Sequence, residues 1–319
     1  MPKNALVGVD VGGTKTAVLV SLTAPSILDR IEFATKPEKG PDPALALIKA
    51  GIRELISKHR LQPTAIGVSC GGPLDHIAGI IQAPPNLSTW VDVPIKSVLE
   101  EEFGVTCRVE NDANAGALAE HRFGAGQGCR NMVFLTMGTG LGAGIITDGK
   151  LYHGANDFAG EIGHVRLTRT GPVGYHKAGS VEGWASGGGM VQVAAKTVKA
   201  AIKRKEPTLL AGHLKKGKSI TARDVALAAG KGDAVAARVL RSTARRLGET
   251  MAILVDILNP ERIVIGGLAM RLGDTLLGPA REVLLREALP YSAAVCQVVP
   301  AQLDERIGDV AALCVALGF

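Results

Sequence analysis

Residues able to do chemistry appear first in Val7–Val20, VGVDVGGTKTAVLV, where Asp10, Gly12, Gly13, Thr14 and Lys15 sit between two apolar runs. Apolar runs flanking a Gly-Gly turn predict a β-hairpin. A turn without side chains lets backbone N–H groups approach an anion. Asp10, just ahead of the turn, is a carboxylate placed to hold a divalent cation through water. Thr14 adds a hydroxyl and Lys15 a positive charge, so a phosphate with its metal fits this stretch. The competing reading is a hairpin whose glycines serve geometry alone. It is not a Walker loop, because Thr14 precedes Lys15 and strand-like residues follow where that loop needs a helix.

The design returns in Val133–Gly149, VFLTMGTGLGAGIITDG, where an apolar strand runs into Gly138, Thr139, Gly140, Gly142 and Gly144 and out into Ile145-Ile146. The spacing is G-x-G-x-G-x-G, not the G-x-G-x-x-G of dinucleotide folds. Two strand–turn–strand units, one per half, suggest a duplicated domain with phosphates clamped between the halves. This arrangement resembles that of the sugar kinases and other actin-like ATPases.

Asp112 is the candidate for proton transfer. It ends a predicted strand, Val105–Val109 with Glu110-Asn111-Asp112, and starts a predicted helix, Ala113–Phe123, closed by Gly124. Ligands of open α/β sheets gather at such strand ends. Asn111 and Asp112 are also ordinary helix N-caps, and the two roles are compatible. A helix N-terminus is expected to lower the Asp112 pKa and keep it ionised. Phosphoryl transfer needs positioning and late proton acceptance more than a strong base. Further on, Glu161 and His164 are fenced by Gly160 and Gly163, poorly placed for packing and well placed to face a pocket; a surface loop with a capping His is the alternative.

These residues need scaffolding, and 319 residues suffice for two domains with a sizeable core. The core must be aliphatic, since 46% of the chain is hydrophobic and only 3% aromatic. The order of predicted elements in the first half is β-β-β-α-β, with the first helix at Ala44–His59, a buried strand at Ala65–Ser69, a Pro84-Pro85 loop and a second helix over Val93–Phe103 with Pro94 in its first turn. The second half carries helices at Ser186–Lys205 and Asp233–Leu258, a strand at Arg262–Ile265 opening through Gly266-Gly267 onto a helix, a strand at Val295–Pro300 and a last helix at Gly308–Leu317. Thr221 and Asp224 read as an N-cap pair. The net charge of +6 is scattered except at Lys196–Lys218, which lacks interleaved aromatics and reads as a solvated face, so no nucleic-acid partner is expected. Five cysteines without C-x-x-C spacing read as buried thiols of a reducing compartment. No secretory signal and no membrane span is evident, so a cytoplasmic protein is expected.

Five motifs in order, GVDVGGTKT, VENDANAGALAE, GTGLGAG, GEIGHV and VEGWASG, resemble those of the ROK family of bacterial sugar kinases and repressors. With Ile265-Gly266-Gly267, the resemblance covers nearly the whole chain. It implies an α/β, two-domain actin-like (ribonuclease H-like) sugar kinase fold with duplicated βββαβα halves. The domains would be 1–115 and 116–303, with a C-terminal helix at 304–319 returning to the first. It implies that Asp112 takes the proton from a sugar hydroxyl, and that Asn111, Glu161, His164 and Glu182 bind the sugar, approached by Gly72 and Asn86. Asp10, Gly12, Gly13, Thr14 and Lys15 match the first phosphate loop, with Asp10 holding Mg2+ through water. Gly138, Thr139 and Gly140 match the second, and Gly266-Gly267 lies against adenosine. ATP, Mg2+ and a small-molecule sugar are the implied partners, with a homodimer as the family's frequent assembly.

One departure stands out. Between His164 and Glu182 the family carries a cysteine cluster for a structural zinc, whereas RLTRTGPVGYHKAGSVE has no cysteine. His164 and His176 alone do not make a tetrahedral site, so no zinc site is expected and the loop must be fastened otherwise. The expected activity is ATP-dependent phosphorylation of a hexose, glucose first, with N-acetylglucosamine or N-acetylmannosamine as the alternative. A non-enzymatic sugar-responsive regulator is the reading from another class. Such regulators carry a helix-turn-helix ahead of the first hairpin, and here that hairpin opens at residue 7. The glycine spacing argues against a NAD-linked dehydrogenase.

Overall fold

The computed structural model describes residues 2–215 and 217–318; Met1, Phe319 and Lys216, the last within the basic segment 196–218, lie outside the described residues. Strand β1 (Lys3–Val11) folds back through the Gly12–Thr14 turn onto β2 (Lys15–Ser21), with Asp10 opposite Ala17. Strand β3 (Asp29–Ala34) continues the meander. Helix α1 (Pro41–His59) opens on prolines, which a first turn tolerates because its N–H groups are unbonded anyway. Its Ile48, Ile52 and Leu55 fall at helical spacing and are fully buried, each contributing about 1.5–3 kcal/mol. Strand β4 (Leu61–Cys70) then runs parallel to β1. A small hairpin, β5 (Leu74–Asp75) and β6 (Ile80–Ile81), and helix α2 (Ile95–Phe103) precede β7 (Thr106–Asn111), which is parallel to β4. The sheet order is β3-β2-β1-β4-β7.

After helix α3 (Asp112–Phe123), strands β8 (Met132–Met137), β9 (Leu141–Thr147) and β10 (Lys150–Leu151) repeat the meander. A minor hairpin, β11 (Val173–Gly174) with β12 (Lys177–Ala178), leads into α4 (Val181–Ala185), α5 (Gly187–Lys203), α6 (Ala211–Lys215), α7 (Ala222–Gly230) and α8 (Ala234–Leu258). Strand β13 (Arg262–Gly267), helices α9 (Leu268–Leu272), α10 (Asp274–Glu287) and α11 (Pro290–Val295), strand β14 (Gln297–Pro300) and helix α12 (Ile307–Leu317) close the chain. The second sheet has the order β10-β9-β8-β13-β14, with β13 parallel to both β8 and β14. In each sheet the first strand is central, the next two lie on one side, and two parallel strands lie on the other. This is the duplication that the twin hairpins suggested.

The chain forms two compact units, one of residues through Arg130, Gly144–Ala159 and the chain from Gln302, the other of Asn131–Ala143 and Gly160–Ala301. Helix α3 and the segment around β10 therefore belong with the first unit. The reason is packing: α12 lies against β1, β4 and α3. A Cβ on Gly67 of β4 would lie 2.1 Å from the Ala312 carbonyl oxygen, so only glycine admits α12 this close. Glu120 of α3, fully buried, ties the returning chain down by accepting the N–H groups of Gln302 and Leu303 at 3.0 and 2.8 Å.

Helix α2 begins at Ile95 rather than Val93, with Pro94 outside it as the cap. Val93 is held extended by two hydrogen bonds with Ile81, each 2.9 Å, and cannot join the helix. Thr221 and Asp224 form the expected capping box of α7. Four of the five free cysteines are buried and Cys296 is partly so. Lys196, Lys199 and Lys203 are exposed while Val193, Ala194, Val198 and Ala201 of the same helix are buried, which is the solvated face expected. Among the described residues no helix is long and apolar enough to cross a membrane.

Candidate active site

In the first unit the three parallel strands finish level, with Val11 opposite Cys70 and Cys70 opposite Asn111. The Gly12-Gly13 turn, Gly71-Gly72 and Asp112 follow directly from these ends. Asn111 caps α3, its Oδ1 accepting the Ala113 N–H at 2.9 Å, and Asp112 is the first residue inside the helix. A Cβ on Gly72 would lie 2.8 Å from Asn111 Nδ2, and one on Gly71 would lie 3.9 Å from Asp112 Oδ2. A Cβ on Gly13 would lie 2.6 Å from that of Asn86, so Asn86 packs against the first glycine turn. Gly72, Asn86, Asn111, Asp112 and the first hairpin are thus brought together.

The electrostatics of Asp112 run opposite to the expectation from its helix position. Its pKa is raised: burial disfavours the charge more than the Ala113 N–H and its own N–H stabilise it. Asp112 keeps accessible surface. It sits in a recess dense with protein atoms, so water reaches it without solvating it as bulk water would. Asp10 is pushed up to about 7, first by burial, then by Asp112 and Asp309, against the opposing pull of Arg30 and Lys15. A carboxylate raised by neighbouring carboxylates is a place that a cation relieves. Among the described residues no three His, Cys, Asp or Glu converge to hold an ion directly. The donor set fits a Mg2+ that keeps most of its waters and meets the protein through Asp10.

Both glycine turns present backbone amides. In the first, Gly12 N–H bonds the Lys15 carbonyl at 3.0 Å; in the second, Gly138 N–H bonds the Gly140 carbonyl at 3.0 Å. Among the described residues the N–H groups of Gly13, Thr14, Thr139 and Gly140 have no protein acceptor. Donors left open in this way fit phosphate oxygens. Lys15 does not point a free charge at the turn; its Nζ lies 3.0 Å from Glu32, which also binds Arg30 at 2.7 Å. Arg30 in turn holds Asp309 at 2.9 Å.

In the second unit, Gly138, Thr139 and Gly267 line a cavity of about 390 Å³ with Gly187, Val191 and Leu268. Gly266 does not line it; a Cβ there would meet the Phe134 ring. Glu182, the second residue of α4, is held against the same turn, its Oε2 accepting the Leu141 N–H at 3.2 Å. Gly160 and Gly163 lie flat on β9: a Cβ on either would come within 2.1 Å of the Ala143 or Leu141 carbonyl oxygen. Glu161 and His164 are left exposed between and beyond them. The His164 ring meets Tyr175 edge-on at 6.2 Å between centroids.

The loop without cysteines is fastened by hydrogen bonds. Leu167 and Thr168 donate their N–H groups to the Gly179 carbonyl at 2.9 and 3.1 Å, and Gln192 bonds both the N–H and the carbonyl of Val173. Trp184 Nε1 donates to Thr168 Oγ1 at 2.7 Å, and the Arg246 guanidinium lies over its ring at 5.0 Å.

Sequence reasoning did not find the Arg30–Asp309 pair, 279 positions apart, or the bond of Glu110 Oε2 to His153 Nε2 at 2.7 Å. No local pattern marks either. Glu110 lies within the VENDANAGALAE motif, which was the only available signal.

The ROK family model matches residues 6–317. The chain is 39% identical over 296 residues to the glucokinase of Halalkalibacterium halodurans, covering 90% of this chain and 87% of that one. It is 30% identical over 284 residues to the xylose repressor of Caldicellulosiruptor bescii, covering 88% and 70%. A ROK family glucokinase from Streptomyces griseus, solved in complex with glucose and AMPPNP, superposes with a TM-score of 0.80 at 33% identity, over 99% of this chain and all of that one.

Proposed function

This chain belongs to the ROK family, and from that premise we propose that it is an ATP-dependent kinase that converts glucose to glucose 6-phosphate. The observation that carries the reading is Asp112, an accessible carboxylate fixed at the first position of α3 by the Asn111 cap. Asn111, Glu161, His164 and Glu182 supply the acceptors and donors that a ring of hydroxyls requires, with Gly72 leaving room beside Asn111. Asp112 accepts the proton of the 6-hydroxyl as its oxygen bonds to the γ-phosphorus and the bond to the β-γ bridging oxygen breaks. Its burial-raised pKa makes it a better base than an ordinary carboxylate.

The amides of Gly13 and Thr14, and those of Thr139 and Gly140, are assigned to the phosphates. The cavity bounded by Gly138, Gly267 and Leu268 is assigned to the adenosine, with Gly266 behind it. Mg2+, carried by Asp10 through water, would neutralise charge on the phosphates during transfer. Lys15 acts through Glu32 and Arg30 unless a phosphate draws it away.

The test is ADP release by the purified chain over glucose, mannose, N-acetylglucosamine and N-acetylmannosamine. Glucose is expected to give the highest kcat/KM. Preference for an N-acetylated sugar would replace the substrate and keep the chemistry. The xylose repressor relative favours a second reading, a sugar-binding regulator; it predicts glucose binding without ADP release.

A further inference from the structure

Four residues outside every role assigned above form a continuous contact beside Asp112. Glu110 is buried at the end of β7, the edge strand of its sheet. Its Oε1 accepts the Asn111 N–H at 2.9 Å and Asn114 Nδ2 at 3.0 Å. One carboxylate therefore grips the residue before Asp112 and the residue two after it. Its Oε2 lies 2.7 Å from His153 Nε2.

The His153 ring stacks on the His76 ring with centroids 4.0 Å apart and planes 7° from parallel. His76, in the turn between β5 and β6, has its Nδ1 2.7 Å from Asp157 Oδ1, an ion-pair contact whose angle falls outside hydrogen-bond geometry. Its backbone N–H donates to Asp157 Oδ2 at 3.1 Å. All of these residues belong to the first unit.

We propose that His153 is a positioning residue for phosphoryl transfer, acting through Glu110 to fix the Asn111–Asn114 turn that aims Asp112, with His76 and Asp157 holding its ring. The proposal rests on the reading of Asp112 as the base. A buried carboxylate that loses its partner seeks another, and the groups within reach of Glu110 are those that set the direction of α3. The stacked His76 ring prevents His153 from rotating away. The carboxylates of Glu110 and Asp157 close the two outer ends of the stack.

The groups facing His153 are Glu110 from β7, His76 from the β5–β6 turn and Asp157 from its own segment. The hydrogen bond to Glu110 raises the His153 pKa against the opposing effect of burial, and Asp157 adds to the rise. The charged clasp is therefore complete below that raised pKa and weakens as pH climbs through it.

The experiment compares wild type, H153A and H153Q in glucose-dependent ADP release across pH. H153A is expected to lower kcat about ten- to a hundredfold with the KM for ATP within about twofold. H153Q keeps a donor for Glu110 and is expected to recover much of kcat, without the wild type's alkaline decline. A folded H153A with wild-type kcat at every pH overturns the proposal. Should H153A not fold, H153Q decides alone: an alkaline decline matching wild type overturns it. Wild type without turnover refutes the kinase reading itself. That failure is distinguishable, because hydrogen exchange at the Asn111 amide, faster in H153A than in wild type, still reports whether His153 orders the turn.

Discussion

Asn111 Oδ1 accepts the N–H of Ala113 at 2.9 Å, and this bond makes the amide at the end of β7 the cap of α3 and Asp112 the first residue inside it. Replacing Asn111 by Ala removes the cap. The expected loss is about 1 kcal/mol of stability, within a range of roughly 0.5–2. Asn111→Asp, which can cap, should recover most of it. Urea denaturation of the three forms reads this directly, and kcat/KM for sugar should fall in Asn111→Ala by more than the stability change explains.

The raised pKa of Asp112 sets the acid side of the pH profile. Burial favours its protonated form, and only the ionised form accepts the sugar proton. Activity must therefore rise with pH through a value above the ordinary carboxylate pKa of about 3.9. A profile of kcat/KM against pH whose acid limb falls at or below that value would contradict this account of the base.

Asp10 carries a stability consequence of its own. Its folded pKa of about 7 lies above the ordinary 3.8, so the folded state holds a proton there that the unfolded state releases. The associated stability is present below the ordinary pKa and is lost as pH rises through about 7. Asp10→Asn lacks this loss. In the ligand-free protein the mutant's Tm advantage should grow between about pH 5 and about pH 8. Added Mg–ATP should raise the wild-type Tm and leave that of the mutant nearly unmoved.

Trp184 and Thr168 hold the loop where a metal cluster is missing from the sequence. Trp184→Phe keeps the ring under Arg246 and removes the Nε1 hydrogen bond, at a cost of about 1 kcal/mol. Limited proteolysis should then cut within 165–180 sooner than in wild type. Treatment with a zinc chelator is expected to leave the wild-type Tm unchanged.

Much of the fold could be read in the chain because its signals are local. Two apolar–glycine–apolar segments gave the twin hairpins, and helical spacing at Ile48, Ile52 and Leu55 gave α1. Gly160 and Gly163 carry a reason that the local pattern does not show, since both are needed for the segment to lie on β9. What failed depended on partners distant in sequence. Val93 looks helical until Ile81 claims it. Asp112 looks like an acid stabilised by a helix end until burial among the surrounding protein outweighs that effect and raises its pKa. Lys15 looks like a free cation until Glu32, on the neighbouring strand β3, pairs with it. The packing of α12 on α3 is equally invisible locally, because the two are nearly two hundred residues apart.

The most direct test of the whole account is the pair of Asp112 and Asp112→Asn, measured for glucose-dependent ADP release and, by calorimetry, for glucose binding. The substitution keeps shape and cannot accept the proton. The account predicts glucose affinity within about threefold of wild type and kcat lower by about a hundred- to ten-thousandfold. An Asp112→Asn enzyme that releases ADP at the wild-type rate would contradict it.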